Sequence, residues 1–297
     1  MIRVLGLGDN VVDKYMHTRT MYPGGNALNF AVYAKMLGHE AAYLGNFGDD
    51  EEAEHVYETI RSLGLDTSRC RHWRGENGAA KVKLVDGDRV FLGSNKGGVS
   101  GQHPLEFTNT DRKYISRHDI VHTSIFSYIG NQLPLLRETA AFLSMDFSNH
   151  VAEEYLKAYC PCIDCACISC GEDMPEEDVR KRMKSLLDYG CGHMVIATRG
   201  ARGALVCVDG KTYEQPPCLV AAEDTMGAGD SFISCFLVSY VDGMKYAVDF
   251  PEESGEGGIT RAEEYKDLIV KTSLYKAAVY SSRNCRKAGS FGYGKKF

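Results

Sequence analysis

The stretch Asp224-Thr225-Met226-Gly227-Ala228-Gly229-Asp230-Ser231-Phe232 sets two glycines and then a carboxylate directly before an apolar run, ISCFLVSYV. That run reads as a buried helix, whose first N–H groups have no partner within the helix. Glycines ahead of it permit a tight turn and expose further amides, so turn and helix dipole together favour an anion, most naturally a phosphate. A carboxylate beside a phosphate is repelled. Asp230 is therefore a poor ligand but a suitable general base, taking a proton from a hydroxyl before phosphoryl transfer. Asp is also a common helix N-cap, and spacing alone does not choose between the two roles.

Two other patterns compete. Five of the eleven cysteines crowd into CPCIDCACISC as Cys160, Cys162, Cys165, Cys167 and Cys170. A structural zinc site wants C-x₂-C paired with a second such pair some distance away, whereas this alternation reads better as a buried strand in which cysteine serves as a small apolar residue. Gly6-Leu7-Gly8 begins a dinucleotide fingerprint, but Val11 stands where its third glycine belongs.

The elements that must carry these residues follow from periodicity. RVLGLG, AAYLGNFG, DIVHTSIF, FLSMDFS, CIDCACIS, HMVIATRG and GALVCVDG are short runs, mostly too uniformly apolar to have a wet face. NALNFAVYAKMLG, EEAEHVYETIRSLG and EEDVRKRMKSLLDYG carry apolar residues at three- and four-residue spacing and end in glycine, as helices do. Alternating strands and helices imply βαβ units, hence an α/β fold with a mostly parallel central sheet sandwiched by helices. Such sheets bind ligands beyond the carboxyl ends of their strands.

Residues 10–22 and about 72–100 break the rhythm. AAKVKLVDGDRVFLG reads as a hairpin turning at Asp86-Gly87-Asp88, so these segments form a small separate sheet, either a decorated edge or a lid over a cleft. The Pro-, Gly- and Glu-rich VDFPEESGEGGITRAEEY reads as a surface loop.

Composition narrows the function classes. Hydrophobic residues at 44% and charged residues at 25% suit a folded globular chain, and the net charge of -6 argues against a nucleic-acid partner. No apolar run reaches a membrane span, and no signal peptide precedes the first strand pattern, so a cytoplasmic chain with reduced thiols is expected.

The motifs resemble those of the ribokinase-like carbohydrate kinases, the phosphofructokinase B family. DTMGAGDSF is similar to that family's C-terminal signature, and GGNALNFA at 24–31 to its N-terminal sugar-binding signature; GDNVVD at 8–13 and TRGARG at 198–203 add to the match, which spans essentially the whole chain. Within the family, GDNVVD, GGNALNFAVY, DRVF, DIVH and MDFS look most like the enzymes that phosphorylate a sugar attached to an amino acid, the fructoselysine 6-kinases. The resemblance implies one ribokinase-like domain with a small β-sheet lid, using ATP and Mg²⁺ on a sugar acceptor.

Carried over residue by residue, it implies Asp230 as base and Gly227, Ala228 and Gly229 as an anion hole. Asp9, Asp13, Gly25, Asn26, Asn29 and Arg89 would lie on the sugar side, and Thr198, Gly200 and Gly203 along the ATP. Asp224, near Gly289 and Ser290, would mark a K⁺ site. The family's N-x-x-E element stands here as Ser169-Cys170-Gly171-Glu172, so Glu172 would influence Mg²⁺ while Ser169 replaces the asparagine. Other sugars, a silent sugar-binding regulator and a zinc-dependent interaction protein are the alternatives. Exposed edges on the small sheet suggest a homodimer.

Overall fold

The computed structural model describes residues 1–85, 88–149, 152–247 and 261–297. The strands are β1 (Arg3–Gly8), β2 (Val11–Tyr15), β3 (Thr20–Gly24), β4 (Glu40–Phe47), β5 (Arg71–His72), β6 (Ala79–Val85), β7 (Asp88–Ser94), β8 (Ile120–Ser124), β9 (Leu143–Asp146), β10 (Cys165–Ser169), β11 (Met194–Thr198), β12 (Ala204–Val208), β13 (Lys211–Gln215) and β14 (Lys295–Lys296). The helices are α1 (Asn26–Met36), α2 (Glu51–Ser62), α3 (Val99–Gln102), α4 (Asn109–Ile115), α5 (Leu133–Thr139), α6 (Glu153–Tyr159), α7 (Glu176–Asp188), α8 (Ala228–Ala247) and α9 (Arg261–Asn284).

A nine-stranded sheet runs β13-β12-β11-β10-β9-β8-β1-β4-β5. Its pairs from β11 through to β5 are parallel, and β12 alone runs the other way, antiparallel to both β11 and β13. From β1 the chain moves outward through β4 to β5, then returns to β8 and proceeds the other way. The strand order therefore reverses between β1 and β8, where an open parallel sheet leaves a crevice at its carboxyl end.

Both faces are covered, which explains the apolar strands. In β10, Cys165 and Cys167 face the core built with α1, α2, α8 and α9, while Ala166 and Ile168 face the core built with α5, α6 and α7. The two-residue alternation of a strand divides them. Residues 231 to 238 of α8 are all buried, and a side chain such as Phe236 contributes about 1.5–3 kcal/mol by leaving water. The three helices read from sequence end as expected, with Gly38, Gly64 and Gly190 at φ 90°, 75° and 99°.

The small sheet has the order β14-β3-β2-β6-β7. Residues 10–22 supply β2 and most of β3. Of the span 72–100, only β6 and β7 join it; His72 belongs to an edge of the large sheet, and Val99–Gln102 is helical. The tail contributes β14, which sequence reasoning did not place. Of the expected hairpin turn, Asp86 and Gly87 lie outside the described residues, as do residues 248–260 of the expected surface loop; Arg261 to Tyr265 begin α9.

Cys160, Cys165, Cys167 and Cys170 are buried, and the Cys165 and Cys167 sulfurs lie 3.9 Å apart. The buried-strand reading of this segment holds, shortened at its start by a 3₁₀ turn over Cys160–Cys162.

Candidate active site

The carboxyl ends of β1, β8 and β9 and the first turns of α1 and α8 converge. Asp9 follows β1 and is 5% exposed. Its Oδ1 accepts the hydroxyls of Ser124 (2.7 Å) and Ser127 (2.9 Å) and the Ala27 N–H (3.2 Å). Asp9 thus caps α1 from another element, since the helix's own N-cap is Gly25, without a side chain to do so. A Cβ on Gly25 would lie 2.8 Å from the Asn10 Cα, and its φ is 114°. Glycine lets the helix end approach β1 this closely.

Asn26 and Asn29 stand one turn apart on α1. The Asn29 Nδ2 donates to Asp230 Oδ2 at 2.6 Å and to the Ser290 hydroxyl at 3.2 Å. The Asn26 Nδ2 donates to Asp146 Oδ2 at 2.9 Å. Two carboxamides therefore hold two carboxylates, one from α8 and one from the end of β9. Asp230 is the third residue of α8, inside the helix rather than ahead of it, so the N-cap reading of this aspartate fails. Asn29 is 3% exposed, and its Oδ1 has no protein partner. An unsatisfied buried acceptor suits a site awaiting a hydroxyl.

Asp146 is a site residue that sequence reasoning passed over, although MDFS had been noticed. Burial pushes its carboxyl up to about 7, assisted by the charges of Asp230 and Asp9 and opposed by hydrogen bonds from the Ser148 N–H and Asn26. An acidic residue ending a buried parallel strand was the signal available. Asp13, on β2, is also buried, across the ladder from Tyr22.

Next to this constellation opens a cleft of about 600 Å³ lined by Ser169, Glu172, Thr198, Gly200, Gly203, Ala228 and Gly229. The expected nucleotide-side residues are thus brought together. Glu172 Oε1 accepts the Ala201 N–H at 2.7 Å, and Arg202 donates to the Glu172 carbonyl at 2.9 Å, so the acid shapes the turn over Gly200–Arg202. Gly227 sits behind the cleft at φ 71°, where a Cβ would collide with the Tyr33 hydroxyl and lie 3.0 Å from the Ser290 Cα. Asp224 is fully buried below the same turn. The side chain of Arg89 lies outside the described residues.

The fold superimposes on ribokinase from Giardia lamblia with a TM-score of 0.77, over 98% of this chain and 95% of that one at 15% identity. On Arabidopsis thaliana ribokinase, solved with ribose and ATP, it superimposes with a TM-score of 0.73. Residues 1–250 match the profile described as pfkB family carbohydrate kinase. The chain belongs to that family. This carbohydrate kinase is 37% identical over 294 residues to fructosamine kinase FrlD of Bacillus subtilis, covering 99% of this chain and 94% of that protein. It is 32% identical over 238 residues to fructoselysine 6-kinase of Escherichia coli, covering 80% of this chain and 89% of that protein. Membership makes it an ATP-dependent sugar phosphotransferase. A sugar kinase must bring a hydroxyl and a terminal phosphate together, and Asp230 and Asn29 stand where the carboxylate constellation meets the cleft. Among the described residues no helix is long and apolar enough to cross a membrane.

Proposed function

We propose that this sugar kinase phosphorylates a sugar-amine conjugate of the fructosamine class, with Asp230 as general base. The carrying observation is the 2.6 Å hydrogen bond from Asn29 to Asp230 Oδ2, one residue beyond Gly229 of the cleft lining. It orients the carboxylate for proton transfer. The acceptor oxygen then attacks the γ-phosphorus as the bond to the bridging oxygen of ADP breaks. Amides of the Gly227–Gly229 turn and the α8 dipole favour the charge that develops on the phosphoryl oxygens.

Among the described residues no group of three His, Cys, Asp or Glu could hold a metal ion. Mg²⁺ in nucleotide enzymes is usually carried by the phosphates and water rather than by a protein cage. When bound, it would neutralise phosphate charge near Glu172.

Similarity along the whole chain to proteins named for fructosamine and fructoselysine supports the substrate class. So does the chemistry of the sugar side, where the buried carboxylates Asp9 and Asp13 suit a protonated amine through charge-assisted hydrogen bonds. The exposed Val90, Phe91 and Leu92 on the edge strand β7 favour a homodimer through the small sheet.

The test is ATP consumption with fructoselysine, other fructosamines, fructose, ribose, adenosine and 2-keto-3-deoxygluconate. Preference for the fructosamines supports the reading, and preference for an uncharged sugar overturns its substrate class. Asp230→Asn should lower kcat by about 10²–10⁴ with whichever sugar is used. A change smaller than about threefold would remove Asp230 as the base.

A further inference from the structure

Both carboxylate oxygens of Asp224 are already in use. Its Oδ1 accepts the Met226 N–H at 2.9 Å, and its Oδ2 accepts the Tyr15 hydroxyl at 2.5 Å and the Gly289 N–H at 2.7 Å. The neighbouring carbonyls are likewise occupied. Cys285 O accepts the N–H groups of Glu223 (2.8 Å) and Asp224 (3.2 Å). Ser290 O accepts the Tyr33 hydroxyl and, at 2.7 Å, the Asn284 Nδ2.

A carbonyl oxygen has two lone pairs. A monovalent cation needs several oxygens to replace its water, and one at Asp224 would have to compete with donors that already hold both carboxylate oxygens and fill the Cys285 and Ser290 carbonyls. The Asp224 carboxylate and the Ser290 carbonyl, to which the family resemblance assigns K⁺, are thus engaged by the protein itself. The converging N–H and O–H dipoles already supply Asp224 with the positive potential a cation would bring.

We propose that Tyr15 is a positioning residue of the phosphoryl-transfer site: with two backbone N–H groups, its hydroxyl fills the role of a monovalent cation at Asp224, so the kinase turns over without K⁺. Tyr15 ends β2 of the small sheet, Met226 precedes the Gly227 turn, and Gly289 adjoins Ser290 against that turn. One buried carboxylate thus clips the small sheet, the turn before α8 and the C-terminal loop together. The Tyr22 ring, its centroid 4.9 Å from that of Tyr15 in an edge-on arrangement, steadies the phenol from β3.

The turnover arm rests on the kinase reading, so the test includes one arm that does not. Thermal unfolding of the full chain without substrate is compared in KCl and in tetramethylammonium chloride at equal ionic strength. The wild-type midpoints should agree within about 1 °C, because a ligand that does not bind cannot shift the midpoint. Wild-type kcat in the two salts should agree within about twofold.

Tyr15→Phe should lower kcat on the order of tenfold by leaving a buried carboxylate oxygen short of a donor. It should leave the KM for sugar within about threefold. It should also acquire K⁺-specific stabilisation and K⁺-specific recovery of turnover. A K⁺-specific rise in the wild-type midpoint overturns the proposal, as does a Tyr15→Phe enzyme with unchanged kcat. Should that variant not fold, the wild-type salt comparison decides. Should no sugar be phosphorylated, the kinase reading fails while the thermal arm still judges K⁺.

Discussion

Replacing Asp146 by asparagine should change the pH dependence of stability in a direction and by an amount that the structure sets. Asp146 is 3% exposed, and burial, with the nearby charges of Asp230 and Asp9, raises its carboxyl from 3.8 to about 7. A folded-state pKa above the unfolded one means that folding favours the protonated form. The stability from this group is fully present below pH 3.8 and is lost as the pH rises to about 7. Each pH unit in that window is worth about 1.4 kcal/mol.

From about pH 5 to about pH 8 the wild type therefore loses roughly 3 kcal/mol that Asp146→Asn does not lose. The carboxamide brings an offset of its own, because its NH₂ must face either Asn26 Nδ2 or the Ser148 N–H, both donors. That mismatch costs about 1 kcal/mol at every pH, so the offset and the slope are separable. Urea unfolding of both proteins across this range, extrapolated linearly to water, measures the difference at each pH. The variant should gain on the wild type as the pH rises. A difference constant to within about 0.5 kcal/mol, or one growing toward acid, would refute the assignment of an uncompensated buried carboxyl to this position.

Gly227→Ala should lower kcat by at least about tenfold, because its φ of 71° disfavours a Cβ and the added methyl meets the Tyr33 hydroxyl behind the turn; steady-state kinetics and a folded far-ultraviolet spectrum check this together. Glu172→Ala should raise the KM for ATP by about five- to twentyfold and leave that for sugar unchanged, since the carboxylate holds the Ala201 N–H of the cleft wall; an equal rise in both would contradict a nucleotide-side role.

Much of the fold was legible because burial on both sheet faces leaves apolar strands, and surface helices must repeat near 3.6 residues. The cysteine segment illustrates this, since the period of two in a strand puts Cys165 and Cys167 on one face. The turn Gly227–Gly229 was legible for a different reason: few arrangements besides an anion site need glycines ahead of a buried helix. Strand β14 was not, because Lys295–Lys296 has no apolar pattern and joins β3 through its backbone and the Lys296 ammonium, which donates to the Thr20 hydroxyl at 3.0 Å. Asp146 was missed because its place at the end of a buried strand does not by itself name the partners, Asn26 and Ser148, that make it a site residue.

What the sequence by itself determined was a mostly parallel α/β sheet, a glycine turn leading into a buried helix and a carboxylate beside it, since those follow from local periodicity and backbone chemistry. Only the tertiary structure decided which groups each carboxylate meets. Asp9, proposed for the sugar side, also commits its Oδ1 to capping α1; Asp224 was expected at a cation, and donors from three separate segments surround it. Asp230 accepts a hydrogen bond from the Asn29 carboxamide, 201 residues away in sequence. Hydrogen-bond partners so distant along the chain leave no trace in local pattern, because their spacing is fixed by how the sheet folds rather than by any repeat.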